Sequence, residues 1–585
     1  MPARRLHPLS KSLRNTIELQ ASQTEECQAL FADGLLWCYG FHHEEAQRQF
    51  RQLIKLSPEC PLAYWGLAYS TSPFYNRPWT WFGADEQQQV ACSGYENIRH
   101  AQSLLDNDKQ ENPLQARLLD NLALVYRQPK PPDNNTYQIW QSDYADAMLA
   151  LAQDYSEHPD ITSLAVEALM TCTPWQLWNT QTGTPAQNSR ITEALQLLEP
   201  ALEQNRGTQH HLGLRHMHIH AMEMSPWPER AHQSADQLRA LLESEIKAPS
   251  HVPPHLPPHL PHMATHIDVL TGNYKDAIET NRNAALHDIQ IEQHPNEFYQ
   301  ISRLHNLHLM LSSAMMAGRV KDALNAQQSI ETIISKTDAK ECDDWLSVSI
   351  EGFYANRLHL DVRFGHWEKL AGVNNDASPS VTVETSDNTN HFADKPFARA
   401  MQSYARAIAL ANLKKHTAAE RAFDDFYHHR DLVPDWYVIN NNPADQILSV
   451  AEAMIAGESF YHSQSYPAGL EKLREAVDLR DALAYCEPWP WMHPPRHALG
   501  ALLLEQGDIA EATEVYEIDL GINDALPRCL QHPNNVWSLA GLAECYSRGK
   551  LQSNHAITAE TINNKLAVAL SYADITIGSS CFCSK

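Results

Sequence analysis

Basic residues are scarce in this sequence. Its 45 Lys and Arg residues face 71 Asp and Glu residues, which gives a formal net charge of −26. Such a surface repels phosphate backbones and anionic lipid, so we expect neither a nucleic-acid nor a membrane partner. No run approaches the roughly 20 apolar residues that span a bilayer. The first 15 residues are basic but have no apolar core, which excludes a secretory signal and leaves mitochondrial import open. A cytoplasmic location is expected.

Cysteine and glycine are also sparse, with 11 and 21 copies in 585 residues. Most cysteines stand alone, which argues against a secreted disulfide scaffold and favours reduced thiols. The close pair Cys581 and Cys583 offers only two soft metal ligands. Phosphate-binding glycine motifs, a nucleophile-elbow serine and zinc-finger spacings are missing, so nucleotide-dependent chemistry has no support. Strand-like alternation is rare, with SVTVETS at 380–386 the nearest case.

Amphipathic helix patterns fill almost the whole sequence, with apolar residues three and four positions apart. Several glycines stand where one helix must turn into the next. Gly272, Gly318 and Gly507 each precede an alanine by five residues, and these alanines (Ala277, Ala323, Ala512) begin the apolar face of the next helix. The pattern predicts helical hairpins with short loops.

One run resembles the tetratricopeptide repeat in register: Gly34, Ala46, Phe50, Leu53 and Pro58. Similar units can be recognised near Gly457, Gly500 and Trp537. The segments HMHIHAME, HLPHMATHI and RLHNLHLMLSSAMMAGR are similar to a set of bacterial and fungal tetratricopeptide proteins of unassigned activity. The resemblance implies an all-α fold, an α-solenoid of stacked helical hairpins that bury their apolar faces against one another.

The expected organisation has two helical arrays. It comprises an N-terminal extension (1–26), a first array with His-rich repeats (27–373), a flexible linker or loop (374–395), a second array (396–550), and a C-terminal helix and tail (551–585). Within the first array, the prolines of segment 249–263 predict an extended loop instead of a helix.

A column of histidines is the main functional signal. His216, His262 and His308 are 46 residues apart, and each precedes an alanine (Ala231, Ala277, Ala323) by 15 residues. Such a doubled interval indicates equivalent places in successive structural units. By the tetratricopeptide resemblance, these places and their neighbours line a concave ligand groove. The implied groove residues are His216, His220, Glu223, His259, His262, His266, His305, His308, Arg496 and His497.

Two functions are compatible with this column. The favoured one is a scaffold that recognises a peptide or protein in the histidine-lined groove, because helical repeats usually serve as interaction surfaces. The alternative is a protein that binds Zn²⁺ or another divalent metal, with a metal-dependent hydrolase as one form of it, because neutral imidazoles at helical spacing suit such ions. Its candidate ligands are His216, His220, His262, His266 and His308, with Glu223 as a further ligand or general base. Stacked histidines that merely hydrogen-bond between helices would give the same spacing.

Overall fold

The computed structural model describes residues 8–105, 112–203, 210–247, 257–291, 297–337, 342, 344–372, 391–549 and 555–584. Helices dominate throughout, and consecutive helices pack side by side, which confirms the predicted all-α fold of stacked hairpins. Within the described residues, β-structure is limited to two short hairpins and one isolated bridge. None of the described helices is long and apolar enough to cross a membrane.

Contacts divide the chain into two compact units. The first comprises Met1–Ile267 and Leu286–Gln293, and the second comprises Asp268–Ala285 and His294–Lys585. The helices of the first unit are α1 Lys11–Arg14, α2 Glu25–Tyr39, α3 His43–Leu56, α4 Pro61–Thr71, α5 Ala84–Leu105, α6 Pro113–Leu122, α7 Asn134–Asp154, α8 Pro159–Met170, α9 Ile191–Glu203, α10 Leu212–Glu223 and α11 His232–Lys247. The hairpin of β1 (Trp178–Asn179) and β2 (Thr184–Pro185) precedes α9, and 3-10 turns lie at Trp79–Trp81 and Pro228–Ala231.

Two further helices, α12 (His259–Thr271) and α13 (Tyr274–Ile291), contribute residues to both units. The remaining helices belong to the second unit: α14 Glu297–Met316, α15 Val320–Ser335, α16 Asp344–Arg363, α17 Trp367–Ala371, α18 Pro396–Asn412, α19 His416–Arg430, α20 Ala444–His462, α21 Tyr466–Asp481, α22 Pro495–Gln506, α23 Ile509–Asp519, α24 Val536–Arg548 and α25 His555–Tyr572. Strands β3 (Val438–Ile439) and β4 (Asn442–Pro443) form its hairpin, and Arg528–Leu530 is a 3-10 turn.

Glycines allow close helix packing in both units. The Phe50 ring of α3 lies against Gly34 of α2 and Gly66 of α4, so close that a methyl group on either glycine would lie 2.6 or 2.3 Å from ring carbons. In the second unit, the Tyr516 ring lies in the same way against Gly500 and Gly541. An aromatic ring between two glycines therefore fixes three successive helices in each place.

The two units are defined by contacts, and the predicted module boundaries stay predictions. Of the predicted linker 374–395, residues 374–390 lie outside the described residues, as does the strand-like segment 380–386. Helices α16 and α18 on either side of it pack together within the second unit, whereas the two units meet in sequence inside α12.

Two local predictions are corrected by the structure. The predicted loop 249–263 is helical from His259 onward, because Pro261 lies in the first turn of α12, where its missing N–H has no helical acceptor. Residues 249–256 of that loop lie outside the described residues. Cys581 and Cys583, expected as thiols, are joined by a disulfide across a Cα–Cα distance of 5.2 Å.

Candidate metal centre

Three buried imidazoles meet in the first unit. His216 and His220 stand four residues apart on one face of α10, and His259 is the first residue of α12. One nitrogen of each ring lies within 4.8 Å of the others, and the three side chains are at most 7% exposed. A single ion could therefore contact all three imidazoles after small movements, since metal–nitrogen bonds are about 2.1 Å long.

Hydrogen bonds fix two of these rings. His216 Nδ1 lies 2.6 Å from the Tyr39 carbonyl oxygen, and His220 Nδ1 lies 2.8 Å from Glu223 Oε1. Both partners can only accept, so we assign the proton of each ring to Nδ1 and a lone pair to Nε2. Metal-binding histidines usually have this second shell, in which the other ring nitrogen donates to a carbonyl or carboxylate.

Some ring nitrogens of the cluster are buried without a polar contact. Among the described residues, His216 Nε2 and both ring nitrogens of His259 have no hydrogen-bond partner. An unsatisfied buried polar group costs about 1–3 kcal/mol, so a polar seam between helices would not leave three such atoms together. A bound ion would satisfy them.

Glu223 orients imidazoles on both sides. Its Oε1 accepts from His220, and its Oε2 lies 2.6 Å from Nδ1 of His266. The Nε2 atoms of His266 and His262 are 2.9 Å apart, so His262 donates to the lone pair that His266 retains there. With both oxygens hydrogen-bonded to imidazoles, Glu223 is placed to position these rings, and its roles as a ligand or general base stay predictions.

Aromatic rings cover the three histidines. The ring centroid of Phe41 lies 4.3, 5.7 and 5.6 Å from those of His216, His220 and His259. Tyr75 adds a ring 4.7 Å from His220. The histidines therefore lie in an enclosed cluster, which differs from the open groove wall implied by the repeat resemblance.

Burial also affects protonation. The pKa values of His216 and His259 lie well below the ordinary histidine value, first because burial disfavours the charged ring and second because neighbouring imidazoles repel it. Both rings are therefore neutral near pH 7, and neutral imidazole is the form that binds metal ions.

The remaining predicted residues lie in the second unit. His308 of α14 is buried, and its Nε2 lies 3.3 Å from Met492 Sδ, while His305 on the same helix is half-buried. Arg496 forms a bidentate ion pair with Asp481, at 2.7 and 2.6 Å. His497 is buried, and its Nε2 lies 3.1 Å from Asp519 Oδ2.

Sequence reasoning missed the group that holds His497. The Asp519 carboxylate is fully buried and also accepts hydrogen bonds from His532, Asn535 and Ser538, at 2.7–2.9 Å. Burial raises its pKa, but the neighbouring His532 and His497 more than offset this effect, so the pKa lies well below the ordinary value. Both oxygens of this carboxylate therefore accept hydrogen bonds, as is usual in a buried network that stabilises the fold.

No family model and no curated protein matches this sequence. Solved structures with similar chains include the crystal structure of the yeast Tom70, at 11% identity and a TM-score of 0.26, covering 92% of this chain and 99% of that one. Another is the structure of Naa15/Naa10 bound to HypK-THB, at 12% identity and a TM-score of 0.23, covering 94% and 84%. Neither similarity, at these TM-scores, supports a conclusion about partners or activity.

Proposed function

We propose that this protein binds a divalent transition-metal ion in its first unit, with His216, His220 and His259 as ligands. The observation that carries the proposal is the meeting of three buried imidazole nitrogens within 4.8 Å, with unpartnered nitrogens on His216 and His259. The carbonyl of Tyr39 and the carboxylate of Glu223 hold the outer nitrogens of two rings. In this proposed set, His259 stands in place of the predicted ligand His262.

The donor set indicates the class of ion. Imidazole suits Zn²⁺, Cu²⁺ and Ni²⁺, whereas Mg²⁺ and Ca²⁺ prefer oxygen ligands. Three neutral ligands leave the charge of the ion uncompensated, and the Glu223 carboxylate behind His220 supplies the nearest balancing charge of this hydrogen-bonded cluster. A tetrahedral ion would keep one position for water or a substrate, and the predicted hydrolase activity would depend on that position.

Peptide recognition in a histidine-lined groove stays a prediction from the repeat resemblance. It requires side chains that a peptide can reach, and His216 and His220 have no exposed surface. Burial therefore favours an ion over a peptide as the ligand of these histidines. A protein partner could still use other surfaces of the helical array.

Metal analysis of the untagged full-length protein tests the proposal. After dialysis against Zn²⁺ and removal of free ion, we expect about one tightly held ion per chain. His216→Ala and His259→Ala should each lose it, whereas His262→Ala, which removes a hydrogen-bond partner of His266, should keep most of it. His232→Ala, at an exposed position of α11, is the matched control.

Circular dichroism must show that each variant keeps its helical content. A wild-type protein without bound ion would overturn the proposal. Full retention of the ion by a folded His259→Ala variant would overturn the assigned ligand set.

A further inference from the structure

A small, partly open cavity lies in the first unit, where α4, α6, α7 and α8 contribute side chains. Its free volume is about 20 Å³, more than the roughly 10–15 Å³ that one water molecule needs. Its walls include the rings of Tyr69, Tyr137 and Tyr144, the carboxyl group of Glu167 and the hydroxyl of Thr171. The space therefore fits a single polar group of about the size of water.

Three polar atoms of this cavity are unsatisfied. Among the described residues, Glu167 Oε1, Tyr144 OH and Thr171 Oγ1 have no hydrogen-bond partner. All three side chains are more than nine-tenths buried, with exposures of 8, 6 and 8%. Such atoms in native proteins usually contact a water molecule, an ion or a ligand. All three atoms can accept a hydrogen bond, so an occupant with three donors would satisfy them together, and the two hydroxyls can also donate.

Charge narrows the choice of occupant. The second oxygen of Glu167 accepts a hydrogen bond from Tyr69 OH, and no ion pair among the described residues involves this glutamate. A buried carboxylate without a cation is costly, and the faces of tyrosine rings attract cations. The cavity thus combines one acidic group, two hydroxyls that can accept or donate hydrogen bonds, and an aromatic wall.

We infer that this cavity binds a small ammonium cation: the ammonium ion itself or the charged group of a short primary amine. The cation donates hydrogen bonds to Glu167 Oε1, Tyr144 OH and Thr171 Oγ1, and Glu167 is its counter-ion. A cation, unlike water, would also be attracted by tyrosine rings of the cavity wall. The inference rests on other residues than the metal proposal, so either can fail alone.

Binding to the full-length protein tests the inference with ammonium chloride and methylammonium chloride as probes. At matched ionic strength, we expect both salts to raise the unfolding temperature and to give saturable heat in calorimetry. Sodium and potassium chloride should act more weakly, because these ions cannot donate directed hydrogen bonds to the three oxygen atoms. Glu167→Gln should abolish the response, and Tyr144→Phe should weaken binding about tenfold through loss of one charge-assisted hydrogen bond.

Tyr64→Phe is the matched control, because the Tyr64 hydroxyl bonds the Pro58 carbonyl at an exposed position outside the cavity. If Glu167→Gln does not fold, Tyr144→Phe decides. The inference is overturned if ammonium acts no more strongly than potassium, or if Tyr144→Phe binds like the wild type. A crystal structure with a water molecule that ammonium does not displace would also overturn it.

Discussion

A single ring nitrogen decides what each histidine of the cluster can do. His216 and His220 each direct Nδ1 to an acceptor, so each ring keeps its lone pair on Nε2. His262 and His266 bond to each other, which places them behind the ligands. The sequence spacing predicted His216, His220 and His262 among the metal ligands, whereas the proposed ligand set has His259 in place of His262. Whether His259 or His262 lies next to His216 and His220 depends on the residue at which α12 begins. Residue spacing alone does not determine that residue.

At the same scale, one buried glutamate should make stability depend on pH. Glu458 of α20 is 2% exposed, and its Oε2 accepts a hydrogen bond of 2.6 Å from Asn412 Nδ2. Burial raises its pKa to about 7 from the ordinary 4.5, although the Asn412 bond opposes this effect. The unfolded chain therefore releases this proton first as the pH rises, and the folded state loses stability between about pH 4.5 and 7.

Glu458→Gln should remove this loss because the amide oxygen can still accept from Asn412 and carries no charge. In urea unfolding, we expect the variant to exceed the wild type by at most about 3 kcal/mol at pH 8 and to match it near pH 4.5. Glu420→Gln, at an exposed position of α19, should show no such difference. The same pH dependence in wild type and Glu458→Gln would contradict the assignment.

At the scale of elements, the sequence predicted what local rules determine. The glycine spacings and apolar periodicity correctly indicated paired helices, and Ala231, Ala277 and Ala323 are all fully buried as expected. The sequence prediction failed where one residue type is compatible with two local structures. Proline-rich sequence indicated a loop through 263, yet Pro261 is tolerated in a first helical turn. The Phe41 contact was equally hidden, because it joins residues about 175 positions apart.

The glycine contact between α3 and α4 gives a prediction at this scale. In Gly66→Ala, the new methyl group would lie 2.3 Å from Phe50 Cε1, and the Phe50 ring is fully buried. We expect a loss of about 1–3 kcal/mol in the free energy of unfolding, the usual cost of overpacking. Gly83→Ala is the control, since nothing lies within 4 Å of its added carbon.

A second variant separates overpacking from other effects of the alanine. In a Phe50→Leu background, the smaller side chain leaves room, so the added cost of Gly66→Ala should shrink. Equal costs in both backgrounds would show that the Phe50 contact is not the cause.

At the scale of the whole molecule, two buried histidine sites, one in each unit, differ in the partners of their rings. At the site in the second unit, Asp519 accepts hydrogen bonds from both His497 and His532, so these two imidazoles have a carboxylate partner. In the first unit, His216 and His259 have ring nitrogens without partners among the described residues. Composition and residue spacing could not distinguish the two sites, because His497 precedes Ala512 by 15 residues. The same interval separates each histidine of the column from its alanine. What each imidazole can bind depends on whether the fold places an acidic side chain next to it.

This contrast predicts a local response to metal. An ion that binds only the folded first unit stabilises it by RT ln(1 + [L]/Kd), about 4 kcal/mol when free ion is 1,000 times Kd. In hydrogen exchange of the full-length protein, Zn²⁺ should slow exchange in α10 and the first turns of α12 by up to about 1,000-fold. Peptides from α22 and α23 should exchange at unchanged rates, because their histidine already has an acidic partner. His259→Ala should lose the protection in α10, whereas equal slowing in both units would show that Zn²⁺ acts elsewhere than at this centre.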